Sequence, residues 1–350
     1  MTVFNHPDFD QHETVAFHND LKSGLRAIIA IHNTTLGPSM GGCRMFPYAN
    51  EELALTDVLR LSRGMTYKSA LANIPVGGGK SIIIGDPQKD KTPELLLAMG
   101  EFIESQNGCY IGAEDSGTSV ADISTMSAKT EHLSGIHSEE EHGGDPSPST
   151  AYGVHKGIEV AVDYRLGSDL KGVRVAVQGV GNVGYHLVKS LCQAGAEVVV
   201  SDINEANLDR VVDEFGIKVV SLDKILTADV DVLSPCAMGG AINKDTINDI
   251  KAVIIAGAAN NQLDDEKTGW SLSGRDILYA PDYVINAGGI IDCHYQTINQ
   301  GTNKVVAKHI DIIAENLKTI FQRSEESGRP TSDVADEMAL AVLAAKSGQT

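Results

Sequence analysis

The sequence predicts an α/β protein in two domains, on three observations. From about residue 151 onward, short apolar strands alternate with helical patterns, which implies a parallel sheet with right-handed crossovers. The turn Gly179-Val180-Gly181-Asn182-Val183-Gly184 separates one of these strands from the helix after it. The chain has 350 residues, about twice a typical domain, and the polar segment 137–149 (HSEEEHGGDPSPS) offers a hinge between them. The expected division is 1–140 and 141–324, with a C-terminal helix at about 325–350 packing back on the first domain.

The elements follow in order. LRAIIAIH (25–32) reads as a buried strand. TTLGPSMGGCRMFPY (34–48) reads as a turn region, punctuated by Gly and Pro. In EELALTDVLRLSRGM (51–65), Leu53, Leu55, Val58, Leu59 and Leu61 have helical spacing, with acids at the start and arginines near the end. Gly77-Gly78-Gly79 reads as a turn entering a strand at 81–84, followed by a helix at 93–106 and a strand at 109–112. Beyond the hinge come helices at about 151–165, 183–194 and 204–215. The strands among them are VRVAVQG (173–179), EVVVSD (197–202), VDVLSP (230–235), AVIIAG (252–257) and ILYAPD (277–282). The end of the chain, about 305–346, reads as helical.

Composition narrows the function. A hydrophobic fraction of 42% suits a globular core. The formal charge of −19, with no Lys/Arg-rich run, argues against nucleic acid and anionic membranes as partners. No stretch reaches the ~18 apolar residues of a membrane span, and the N-terminus has no signal-peptide core. Cys43, Cys109, Cys192, Cys236 and Cys293 are odd in number and form no CxxC. Core cysteines in a reducing cytoplasm are expected, with no metal site.

The glycine turn sits where a dinucleotide site needs it, between an apolar strand and a helix. Gly179 permits the turn, Gly181 lets backbone approach a pyrophosphate, and Gly184 allows close helix–strand packing. Asn182 and Val183 open the helix, whose free N–H groups favour phosphate. Asp202 ends the next strand 23 residues after Gly179, near the expected ~20. It can accept from ribose hydroxyls and would repel a 2′-phosphate, so NAD is favoured over NADP. The expected C-terminal domain is therefore a Rossmann NAD-binding domain, separated by a cleft from an N-terminal α/β substrate domain.

The first half carries different chemistry. Lys80 lies between GGG and SIII, where the chain enters a buried strand. Desolvation there would lower its pKa toward the range useful for proton transfer. Lys68, just past a helical pattern, could stay cationic and grip a carboxylate. Asp115 follows the strand CYIG, and local pattern alone leaves it as a turn aspartate, with Glu114 equally placed.

MGGCRMFPY, MTYKSALANIPVGGGKSIIIGDP, GAEDSGTS, DPSPSTAYGV, VQGVGNVG, SDIN, PCAMGG, AGAANNQL and YAPDYVINAGG occur in this order. Together they resemble the signature blocks of the leucine/phenylalanine/valine dehydrogenases, within the glutamate dehydrogenase superfamily, across roughly 20–290. The resemblance implies reversible oxidative deamination. An L-amino acid, water and NAD⁺ give a 2-oxo acid, ammonium and NADH, by hydride transfer from Cα and hydration of the resulting iminium. It implies Lys68 as the carboxylate-binding lysine and Lys80 as the lysine that activates water. It implies Asp115 as the acid exchanging protons with the amino nitrogen. Met40, Gly41, Gly42, Ala113, Asn261 and Ile290 fall at substrate positions. Thr150, Cys236, Ala237, Asn260 and Asn286 fall at cofactor positions.

The resemblance also bears on substrate and assembly. Glutamate-specific relatives carry a lysine where Met40 stands, so a buried side-chain carboxylate would go unpaired here. Ala113, where phenylalanine-preferring relatives often have Gly, leans the expectation toward leucine and other branched-chain substrates. Aromatic amino acids remain the alternative. Asp292 and Cys293 depart from the pattern, in which Asn and an apolar residue are usual. A homo-oligomer is expected, dimer or octamer, the earlier chain end favouring consideration of the dimer. Two readings of other classes stay open: a non-catalytic NAD-binding sensor, and a 2-hydroxy-acid enzyme using His155 or His294.

Overall fold

The computed structural model describes residues 2–136, 145–237, 239–298 and 302–348. The chain divides into two compact units. Unit 1 is Met1–Asp145 with Asp292–Asn303 and Ala339–Thr350, and unit 2 is Pro146–Ile291 with Lys304–Met338.

In unit 1 the elements are β1 (Thr14–Asp20), β2 (Leu25–Asn33), β3 (Ser39–Phe46), α1 (Glu51–Leu71), β4 (Gly77–Ile84), α2 (Pro93–Glu104), β5 (Tyr110–Glu114) and α3 (Val120–Met126). Among the described residues the strands form a sheet in the order β1-β2-β4-β3-β5. β3 runs parallel to both β4 and β5, whereas β2 runs antiparallel to β1 and β4. Both faces of the sheet are covered. Leu25, Ile29 and Ile31 pack with Leu95, Met99, Phe102 and Ile103 of α2. Ile28 and Ala30 pack with Ala54, Val58 and Leu59 of α1. Two-sided burial explains why β2 reads as an unbroken apolar run rather than an alternating one. Asn50 caps α1 by accepting from the Leu53 amide, and Glu51 and Glu52 occupy its first turn.

Three expectations change here. Gly77-Gly78-Gly79 is strand rather than turn, because α1 and the neighbouring strands approach too closely for side chains: a Cβ on Gly78 would lie 2.1 Å from the Thr66 amide nitrogen. The region 34–48 contains β3, whose small residues Gly41 and Gly42 mask its strand character. α1 continues to Leu71, since Tyr67, Ala70 and Leu71 extend its buried face, and Lys68 is therefore helical. β1, largely exposed, has no burial alternation to announce it.

In unit 2 and the segments that follow, the elements are α4 (Ser147–Leu166), β6 (Arg174–Gln178), α5 (Asn182–Gln193), β7 (Glu197–Ser201), α6 (Glu205–Phe215), β8 (Lys218–Val219), β9 (Val232–Pro235), β10 (Ile254–Ile255), α7 (Glu266–Gly274), β11 (Leu278–Tyr279), α8 (Asp282–Ile285), α9 (Gly288–Thr297), α10 (Asn303–Ile310), α11 (Ile312–Ser327) and α12 (Thr331–Ser347). The strands form a parallel sheet in the order β11-β10-β9-β6-β7-β8. This is the doubly wound Rossmann order, and it reverses between β6 and β9, where such sheets bind ligands. The C-terminal stretch is helical, in three pieces. Gly328, at φ +67°, ends α11 and Pro330 precedes α12. Residues 137–144 of the expected hinge lie outside the described residues, while Ser147–Ser149 begin α4. No helix among the described residues is long and apolar enough to cross a membrane.

Candidate active site

In unit 1, strand pairing gathers Met40, Gly41, Gly42, Lys80, Ala113 and Asp115. β3 sets Met40 against Gly78 on one side and Ile111 on the other, and Gly42 against Ala113. Met40 and Ala113 are buried. A Cβ on Gly41 would stand 1.8 Å from the Gly79 carbonyl oxygen, so only glycine fits. One on Gly42 would stand 2.6 Å from the Asp115 Cβ. The strands are tied beneath this surface by the buried Tyr110 hydroxyl, which donates to the Gly41 carbonyl at 2.7 Å.

Lys80 and Asp115 form the centre of this cluster. Lys80 Nζ lies 2.5 Å from Asp115 Oδ2, with the two side chains 5% and 14% exposed. Arg44 Nε donates to the same Oδ2 at 3.3 Å. Burial opposes ionisation of Asp115, but the charges of Lys80 and Arg44 overcome it and hold the carboxyl well below the usual carboxylate range. Thr118 fixes the turn: its hydroxyl donates to the Cys43 carbonyl at 2.8 Å and accepts from the Asp115 amide at 3.0 Å. Glu114 behaves differently. Burial, then the charges of Asp145 and Asp115, raise it to about 7. The two acids that the sequence left equivalent are thus separated by contact with Lys80. Lys68 is buried in the last turn of α1.

In unit 2, the glycine turn lies at the sheet's switch point. Gly179 adopts φ +95°, and a Cβ there would lie 2.9 Å from Ala237 Cβ. A Cβ on Gly184 would meet the Gly179 carbonyl oxygen at 2.1 Å, which is the close helix–strand contact. Gly181 is open, with nothing within 4 Å. Asn182 and Val183 start α5, whose first turn holds no acid. Asp202, just past β7, accepts from the Val180 amide at 2.7 Å and the Asn204 amide at 2.8 Å. Cys236 follows β9, its amide donating to the Gln178 carbonyl at 2.7 Å.

Further along, Asn286 donates to the Ala258 carbonyl at 3.0 Å and to Asn260 Oδ1 at 2.9 Å. Its own Oδ1 is buried without a hydrogen-bond partner. Asn261 adopts φ +50°. Thr150 on α4 sits against Gly289, where an added Cβ would meet its hydroxyl at 2.6 Å, and Ile290 follows, buried. An open glycine backbone at a helix start, an acid one strand over and an unsatisfied amide oxygen fit a nicotinamide dinucleotide.

Sequence reasoning missed Arg44, Asp57, Tyr48 and Thr118. No local signal marks Arg44, because the strand that half-buries it reads as a turn region in the sequence. One expectation about another residue changes. Cys109 is exposed rather than in the core, because it lies in the turn before β5. His155 pairs with Glu159 of its own helix at 3.3 Å. Asp292 accepts from Gln296 Nε2 at 3.0 Å, a local helix contact.

The chain is similar to known proteins over most of its length. Residues 11–132 match the Glu/Leu/Phe/Val dehydrogenase dimerisation domain, and 144–222 with 200–349 match the Glutamate/Leucine/Phenylalanine/Valine dehydrogenase model. A leucine dehydrogenase of Geobacillus stearothermophilus is 47% identical over 97% of this chain and 92% of its own. A phenylalanine dehydrogenase of Caldalkalibacillus thermarum is 43% identical over 96% and 92%. The crystal structure of L-tryptophan dehydrogenase from Nostoc punctiforme superimposes with a TM-score of 0.79 at 43% identity, covering 96% of this chain and 97% of that one. The chain belongs to the Glutamate/Leucine/Phenylalanine/Valine dehydrogenase family and is an amino-acid dehydrogenase, an oxidoreductase that uses a nicotinamide cofactor on small-molecule substrates.

Proposed function

We propose that the chain carries out NAD-dependent, reversible oxidative deamination of an apolar L-amino acid, leucine and its branched-chain analogues first. The products are the 2-oxo acid, ammonium and NADH. The observation that carries the site assignment is the buried contact of Lys80 with Asp115 beside the glycine-lined end of β3. Unit 1 holds the amino acid and makes the contacts of a homo-oligomer, dimer or octamer. Unit 2 holds the dinucleotide through Gly179, Gly181, Asn182, Val183, Gly184, Asp202, Thr150, Cys236, Ala237, Asn260 and Asn286. Once bound, the dinucleotide supplies the hydride acceptor.

The chain's own residues do the rest. Lys68 grips the substrate carboxylate, with Gly41 and Gly42 backbone beside it. Asp115 exchanges protons with the amino nitrogen, which must be unprotonated before hydride can leave Cα. Lys80 takes a proton from the water that adds to the resulting C=N carbon, and ammonia then leaves as the carbonyl forms. Met40, Ala113, Asn261 and Ile290 meet the substrate. Met40 is apolar and buried, so a glutamate side chain would stay unpaired against it.

Asp202 supports NAD over NADP, because a 2′-phosphate would meet its charge. The leucine dehydrogenase relative supports the branched-chain preference. The phenylalanine and L-tryptophan dehydrogenases at comparable identity favour an aromatic substrate as the second reading. A cytoplasmic setting is part of the proposal, supported by five unpaired cysteines. The test is NADH formation with Leu, Val, Ile, Phe, Trp and Glu in turn. Leucine, valine or isoleucine leading supports the first reading, phenylalanine or tryptophan the second, and glutamate leading overturns both.

A further inference from the structure

We propose that Arg44 is a positioning residue for the Lys80–Asp115 pair, dividing the Asp115 carboxylate between two cations so that Lys80 can release its proton. The inference rests on the reading of that pair as the reacting groups.

Arg44 Nε and Lys80 Nζ both reach Oδ2 of Asp115, at 3.3 and 2.5 Å. A carboxylate facing a buried lysine alone would give its whole charge to that lysine and hold the proton on it. A second cation on the same oxygen takes part of that charge. It also repels the proton on Lys80 directly, an effect that is large at these distances and low exposure. Arg44 therefore favours the neutral amine, which is the form a base needs.

Arg44 is itself held. Its Nη1 donates to Asp57 Oδ2 of α1 at 2.8 Å, and the Tyr48 hydroxyl donates to that same oxygen at 2.5 Å. The planar guanidinium can serve both carboxylates at once, and an ammonium group cannot hold the same geometry. Burial opposes the charge on Arg44, but Asp115 and Asp57 more than offset this, so it remains a fixed cation. Cys43 on β3 and Glu114 and Tyr110 on β5 also feel the Asp115 charge, and Asp122 on α3, which acts on Cys43, is paired with Lys91 at 2.7 Å. Lys68 is buried at the end of α1. Among the described residues, Arg44 and Lys80 are the cations paired with the Asp115 carboxylate.

The experiment compares pH profiles of kcat for leucine oxidation in the full-length wild type, R44Q, R44K and Y48F, with K80A as the reference for the underlying reading. In R44Q the acid-side limb should move to higher pH by roughly one unit, with kcat on that limb falling by up to about tenfold. R44K, which restores charge without the two-sided contact, should return the limb part of the way. Y48F, which leaves the charges in place and loosens only Asp57, should move it slightly in the same direction. A merely structural role would lower activity without moving the limb. A limb at the wild-type pH in R44Q overturns the proposal, and if R44Q does not fold, unmoved limbs in both R44K and Y48F overturn it. Full turnover in K80A would instead show that the reading of the pair itself is wrong.

Discussion

The backbone amide of Val180 donates to the Asp202 carboxylate at 2.7 Å, so the acid at the end of one strand fastens the glycine turn after another. Asp202 thereby has two functions on one side chain: it shapes the turn and presents negative charge beside it. D202A should raise the KM for NAD by roughly 10- to 100-fold, as expected for a lost charged hydrogen bond, and raise the NADP-to-NAD activity ratio. D202N keeps an acceptor for Val180 and should relax the preference with a smaller loss. Initial rates with both cofactors decide this, and an unchanged preference in D202A would refute the assignment.

Gly41 tests the packing beneath the site. Its missing side chain is required by the Gly79 carbonyl, 1.8 Å from where a Cβ would sit. G41A should cost stability on the order of 1–3 kcal/mol, the usual range for forcing atoms into a packed interior. Denaturant unfolding checks it. A wild-type midpoint would mean that β3 and β4 can separate without cost.

Ala113 tests side-chain specificity. It is buried and pairs directly with Gly42 across β3 and β5. A113G should increase the kcat/KM ratio of phenylalanine to leucine, by no more than the 1–3 kcal/mol that a methyl-sized change supplies. A ratio that stays fixed or falls would remove Ala113 from the specificity surface.

Acid stability should depend on two histidines. His12 and His32 stack edge to face at 4.8 Å, His12 bonded to Ser62 at 3.0 Å and His32 to Thr66 at 2.8 Å. Burial lowers the pKa of both, and burial together with the His12 charge brings His32 from 6.5 to about 4. The unfolded chain thus takes up protons that the folded chain refuses. Stability contributed by the neutral rings is full above pH 6.5 and is lost as pH falls toward about 4. The slope from His32 is at most about 1.4 kcal/mol per pH unit. H32Q should flatten the fall in melting temperature across this window, and an unaltered slope would exclude the histidine as its source.

Legibility in the sequence followed local physics. The strands and helices around Gly179–Gly184 and Asp202 are readable because they alternate in a local pattern, and Gly179 and Gly184 answer to nearby backbone constraints. The strand character of Gly77–Gly79 was not, because it depends on how closely Thr66 and the neighbouring strands approach, which no local pattern records. Lys80 was suspected from its apolar flanks. Asp115 could not be separated from Glu114 until contact with Lys80 distinguished them. Arg44 is 71 residues from Asp115, so their pairing depends wholly on β3 lying beside β5.

The most direct measurement is NADH release from leucine and NAD⁺ by the wild type and K80A at matched folded concentration. Turnover is expected in the wild type and a loss of about 10²- to 10⁴-fold in K80A, the usual contribution of a positioned base, with cofactor binding retained. Turnover in K80A equal to the wild type, or NAD binding without amino-acid-dependent NADH in the wild type, would contradict this expectation.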